Sequence, residues 1–226
     1  MVDFEIDKAE VLRYLGYREG SEQLTDDMAT LIDRCIAVTK RAIEYHEATS
    51  PILNIEIRDG KAMIDTLELV GSDIKAHLAN CDRAILMAVT LGANIDMFER
   101  RMQATDITSA VIIDAVSNVA IEEVANICEA KLREMVTRQG LYMTGRYSPG
   151  YGDMPLASQR QLLNIVDAEK RAGITLTPTN LMIPRKSITA VLGVADIPVT
   201  GRRAGCNHCV MRDNCSYRKR GTTCDN

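Results

Sequence analysis

The stretch Leu53-Asn54-Ile55-Glu56-Ile57-Arg58-Asp59-Gly60-Lys61-Ala62-Met63-Ile64 decides the fold class. Apolar residues fall at every second position, the period of a strand with one buried face. Asp59-Gly60 sits between the two runs, and Asp-Gly tolerates the positive φ angles of a two-residue hairpin. The pattern continues to Leu69, so Leu53 to Leu69 predicts antiparallel strands. On its C-terminal side a helix is predicted near Ser72 to Asn80, followed by Arg83-Ala84-Ile85-Leu86-Met87-Ala88-Val89-Thr90-Leu91. That run is almost continuously apolar and reads as a buried strand, ended by Gly92 and followed by a helix.

On the N-terminal side a short helix is predicted from Lys8 to Tyr17, closed by Gly16 or Gly20. A longer one runs from Thr25 to Ala48, with Thr25-Asp26-Asp27 as cap and acidic first turn and Pro51 beyond it. Leu31, Ile32, Cys35, Val38, Ala42 and Ile43 form its apolar stripe. The longest helical pattern spans Ile107 to Arg138, with Ile112, Val116, Val119, Val124 and Ile127 facing the core. Gly140 and Gly145 open a loop through Asp153. A helix at Ser158–Arg171 and two short strands, Leu181–Ile183 and Ile188–Val194, complete the body. Strands and helices mix without regular βαβ alternation, which predicts an α+β fold with helices packed on a largely antiparallel sheet. A domain is expected over residues 1–197, with a small basic, Cys-rich tail at 198–226.

Of the 226 residues, 46% are hydrophobic and 26% charged, ordinary for a globular chain with a sizeable core. No apolar run approaches the roughly 20 residues of a membrane span. The acidic Met1-Val2-Asp3-Phe4-Glu5 does not read as a signal peptide, so a cytoplasmic location is expected. The net charge of −4 divides unevenly: Arg202 to Arg220 carries six basic residues and one acid, +5, leaving −9 for the rest. An acidic body argues against general nucleic-acid binding.

Seven cysteines are an odd number, consistent with reduced thiols. Cys35, Cys81 and Cys128 lie singly among apolar residues and are expected in the core. Cys206, Cys209, Cys215 and Cys224 are spaced x2, x5 and x8, and supply the four thiolates that a zinc ion or an iron–sulfur cluster needs. The alternative for them is a basic tail with free thiols.

Arg146-Tyr147-Ser148-Pro149-Gly150-Tyr151, with Leu162-Leu163, Glu169-Lys170, Gly173-Ile174-Thr175-Leu176-Thr177, Met182-Ile183-Pro184 and Ser187 after it, resembles the activation domain of vitamin B12-dependent methionine synthase. About fifty residues carry the likeness. The resemblance implies a stand-alone module that binds S-adenosylmethionine and supports reductive methylation of a cobalamin held by a separate methionine synthase or corrinoid protein, with an outside electron donor. Such a module is a component of a methyltransferase activity in methionine biosynthesis. It also implies roles: Arg146 for the ligand carboxylate, Ser148 for main-chain contacts where the family usually has Ala, and Tyr151 near the methyl-bearing end. The chemistry is independently sensible. A guanidinium grips a carboxylate through two parallel hydrogen bonds, and Gly150 lets the main chain approach a ligand closely.

Asp114, Asn118 and Glu122 stand four residues apart on the long helix and share a face. The family places acids on this helix near its ligand, so Asp114 and Glu122 are candidate partners for a cationic group. Asn118 stands where the family has an acid, and Gly140 where it has another. The motif Asp-x-His-x-x-Gly is absent, which implies that corrinoid is met in trans. A non-catalytic scaffold subunit of a corrinoid methyltransferase is the alternative reading.

Overall fold

The computed structural model describes residues 4–17 and 24–199. The element order is α1 Lys8–Tyr14, α2 Asp26–Ala42, β1 His46–Thr49, β2 Leu53–Arg58, β3 Lys61–Ile64, β4 Leu67–Glu68, α3 Ser72–His77, β5 Arg83–Thr90, α4 Ala93–Thr105, α5 Ile107–Arg138, β6 Tyr142–Met143, α6 Gln159–Ile165, α7 Ala168–Ala172, β7 Thr175–Leu176, β8 Met182–Ile183 and β9 Ser187–Ala195. One sheet has the order β4-β3-β2-β5-β9-β6, with β1 paired to β5; β7 and β8 form a separate hairpin. The pairings β2–β3, β2–β5, β3–β4 and β6–β9 are antiparallel. The fold is α+β, helices on an antiparallel sheet, as the sequence predicts.

The hairpin forms as its dipeptide dictates. Arg58 pairs with Lys61, and Asp59 and Gly60 both adopt positive φ, 51° and 76°. Gly16 closes the first turn region at φ 88°.

Contacts divide the chain into two compact units. Among the described residues, unit 1 comprises 4–17, 24–48, 88–131 and 166–188; unit 2 comprises 49–87, 132–165 and 189–199. In unit 1, Val11, Ile32, Cys35, Ile112, Ile113, Val116 and Val119 pack into one buried cluster, where part of the predicted stripes of α2 and α5 meets α1; Val38, also placed on the α2 stripe, is instead exposed. In unit 2 the buried side chains include Ile64, Leu67, Ile74, Leu86, Met87, Leu162, Val191 and Val194.

Several boundaries differ from the sequence reading. The second helix stops at Ala42, not Ala48, because Ile43 turns extended and the following backbone finds sheet partners. Glu44 N–H donates to Leu91 O and Ser50 N–H to Leu86 O, both at 2.9 Å. Ladder hydrogen bonds there outweigh the modest helix preference of Tyr45-His46-Glu47-Ala48. The helix predicted over Ser158–Arg171 is two helices, broken where Asp167 takes φ 52°. The segment between Gly140 and Gly145 contains β6, recruited by pairing Tyr142 with Ala195 and Met143 with Val194. Cys35 and Cys128 are buried as expected, whereas Cys81 is half-buried. Its Sγ lies beside Gly193, where a Cβ would approach it to 2.6 Å.

Among the described residues, no helix is long and apolar enough to cross a membrane.

Candidate functional site

The Arg146–Asp153 loop lies in unit 2 and is held at three points. Tyr147 is buried and bridges to β9, its N–H donating to Val191 O at 3.0 Å and its O accepting from Val191 N–H at 2.8 Å. The Tyr147 ring lies 5.1 Å from the His77 ring and meets Tyr151 edge-on at 6.2 Å. Its hydroxyl donates to Tyr151 O at 3.2 Å. At the far end, the Asp153 carboxylate accepts from Ser72 N–H at 2.6 Å, Ser72 Oγ at 2.8 Å and Asp73 N–H at 3.0 Å, capping α3. Those donors hold the Asp153 carboxyl below the usual carboxylate range.

Behind the loop, His77 is 3% exposed, and its Nε2 lies 3.0 Å from both Thr144 Oγ1 and Gly145 O. Thr144 Oγ1 accepts from Gly193 N–H at 2.8 Å. The loop needs its glycines for different reasons. Gly152 has φ 52°, and a Cβ there would collide with Asp73 Oδ2 and stand 2.6 Å from the Tyr147 hydroxyl. Gly150 has φ 88° and lies exposed at the turn. The outcome is a rigid loop that presents exposed Tyr151 beside a half-buried Arg146 and Ser148 and a buried Pro149.

Asp114, Asn118 and Glu122 lie in unit 1, and the structure brings them together with residues that periodicity did not single out. Lys186 is 7% exposed, and its ammonium donates to Asp114 Oδ1 and Asn118 Oδ1, both at 2.7 Å. It is also 3.6 Å from the carboxylate of Glu99, a residue 1% exposed on α4. Asn118 in turn donates to Asp114 Oδ2 at 3.3 Å. Burial pushes the Glu99 carboxyl up, and the Lys186 charge pulls it partly back. Arg185 lies 3.7 Å from Glu99 and 3.9 Å from Asp114. Asp114 is thus already ion-paired within the chain. Next to this cluster is a pocket of about 410 Å³ lined by α5 (Asn118, Ile121, Glu122), the segment Arg185–Ile188 and Tyr14.

Lys186, Arg185 and Glu99 were missed because a buried charge cluster leaves no periodic trace. The sole sequence signal was the pair of adjacent cations after Pro184. Cys206, Cys209, Cys215 and Cys224 lie outside the described residues.

With this fold and loop in view, the comparisons place the class of protein. Residues 72–196 match the family "Vitamin B12 dependent methionine synthase, activation domain", more than half of the chain. The chain belongs to that family. In fold it is similar to a crystal structure of the MetH reactivation domain bound to AdoHcy, at a TM-score of 0.63 and 13% identity, over 96% of this chain and 82% of that one. No curated protein matches the chain.

Proposed function

We propose that this chain binds S-adenosylmethionine on the Arg146–Tyr151 loop and supports reductive methylation of a cobalamin held by a separate corrinoid protein. The observation that carries the proposal is the way the loop is built: its exposed positions are pinned by buried Tyr147 and by the Asp153 cap, so a ligand meets an ordered surface. Pre-ordering reduces the entropy lost on binding. Family membership and the fold of a domain that binds AdoHcy support the same reading.

The residues present suit the ligand. Arg146 offers a planar fork for the carboxylate, and exposed Gly150, with φ 88°, turns the chain without adding a side chain. Tyr151, 55% exposed, supplies an aromatic face able to attract a sulfonium. S-adenosylmethionine, when bound, supplies the methyl group for a corrinoid reduced by an outside electron donor. The protein's part is to bind and orient; neither a general acid nor a base is required of it. In this proposal the tail cysteines hold zinc or an iron–sulfur cluster, the latter suited to passing the electron.

Asp114 gives the scaffold reading its own support, because Lys186 already occupies its carboxylate. Calorimetric titration of S-adenosylmethionine into the wild-type chain and Arg146→Ala separates the two. Binding that the substitution abolishes supports the reactivation role. An intact fold with no binding overturns it in favour of a scaffold subunit.

A further inference from the structure

The pocket in unit 1 has a charge pattern that the resemblance does not lead one to expect. Acids on α5 would favour a cationic ligand, but here the cations line the pocket and the acids mostly stand behind them. Lys186 caps Asp114 and Asn118 at 2.7 Å each. Asp114 and Glu99 are absent from the lining, which carries Arg185 and Lys186 against a single acid, Glu122.

Arg185 is the decisive group. Its backbone N–H is fixed by Asp96 Oδ2 at 2.9 Å, which anchors the residue at the pocket wall. Its side chain is 52% exposed, and its nearest acids, Glu99 and Asp114, stand at 3.7 Å and 3.9 Å, beyond hydrogen-bonding distance. Among the described residues its guanidinium donates no side-chain hydrogen bond and makes only these two longer ion pairs, so the donors of a fixed fork are available at the rim of a cavity. A carboxylate is the group whose two oxygens match that fork. Ile121, Ile188 and the Tyr14 ring provide an apolar wall, and Glu122 disfavours a second negative charge.

We propose that this pocket binds a small organic monocarboxylate, gripped by the Arg185 guanidinium with its apolar body against Ile121, Ile188 and Tyr14. A pocket of about 410 Å³ accommodates such a ligand with room to spare. The inference does not rest on the Arg146–Tyr151 loop proposed for S-adenosylmethionine, although its pocket includes Glu122, a residue that the resemblance sets near that ligand.

The test uses the whole chain, amide-labelled for NMR, and three probes: isovalerate, isoamylamine and inorganic phosphate. Isovalerate is expected to shift the amides of Ile121, Arg185 and Ile188 with a dissociation constant on the order of millimolar. Arg185→Gln should weaken it about tenfold or more, the loss expected for a charge-assisted pair, whereas Arg146→Ala should leave it unchanged. The wild-type comparison stands even if Arg185→Gln fails to fold. Shifts equal or larger with isoamylamine, or with phosphate, overturn the proposal, as does the absence of any isovalerate response at these amides. Retained isovalerate binding in folded Arg185→Gln overturns it as well.

Discussion

Replacing Lys186 with Met removes a buried charge while keeping a long, flexible apolar stem. The ammonium lies 3.6 Å from a Glu99 carboxylate that is 2% exposed in its side chain. At an effective dielectric near 20, that attraction is about 4–5 kcal/mol. The contact with Asp114 is shorter, 2.7 Å, but that carboxylate is 46% exposed and screened by water, so it adds about 1 kcal/mol at most. Relief of the buried ammonium's own desolvation offsets part of this, and a net loss of about 3–5 kcal/mol is expected near neutral pH. The loss should depend on pH in a definite direction. Burial raises the Glu99 carboxyl in the folded protein, so the native state holds that proton more tightly than the unfolded chain does. Stability from this group is therefore fullest below the unfolded carboxyl value and falls as pH rises through the folded one. Without Lys186 the half-exposed Arg185, 3.7 Å away, is left to restrain that rise, and Glu99 in the variant takes up a proton more readily. Urea unfolding followed by circular dichroism, at about pH 5 and about pH 8, should show a smaller penalty at the lower pH. The same penalty at both values would refute the reasoning, because it would mean that Glu99 is not the group left uncompensated.

Three further outcomes can be checked. Gly152→Ala should cost about 1–2 kcal/mol in backbone strain and about 1 kcal/mol through the displaced Tyr147 hydroxyl, lowering the melting temperature by roughly 5–10 °C; scanning calorimetry reads it, and S-adenosylmethionine binding should weaken in parallel. Asp153→Ala should loosen the loop, and because the Asp153 carboxyl is held below its ordinary value, the stability that it confers is present above the unfolded value and lost as pH falls through the folded one. The acid limb of a pH–stability curve should flatten in that variant. Anaerobically purified chain should contain iron with sulfide, or zinc, in an amount that Cys209→Ser reduces; metal-free wild-type protein by elemental analysis would return the tail to free thiols.

The parts of the fold legible in the sequence were those whose cause is local. Asp59-Gly60 set the hairpin, the apolar spacing of α5 set its core face, and the unbroken run of β5 declared a buried strand. What stayed hidden depended on distant partners. His46–Thr49 becomes a strand because β5 offers it an edge, and Tyr142–Met143 because β9 does, and neither dipeptide nor period records that. The loop Arg146–Tyr151 was legible through its resemblance, yet Tyr147, which anchors it to β9, was given no role there. Likewise the polar face of α5 was visible, but Lys186, 72 residues beyond Asp114, was not. A helix stripe shows which residues share a face and not what covers it.

The place of β9 has a kinetic consequence. It stands between β5 and β6 in the sheet, although it is the last strand among the described residues, about a hundred residues after β5. Until Ser187–Ala195 has been synthesised, β5 and β6 each have an unpaired edge, and no other described segment fills the gap between them. Closing pairings over such separations is slow, since loop entropy is lost before the contacts form. During that interval the apolar edge of β5 is open to any strand that reaches it. Until Ser187–Ala195 emerges, the nascent chain therefore carries an edge open to mispairing.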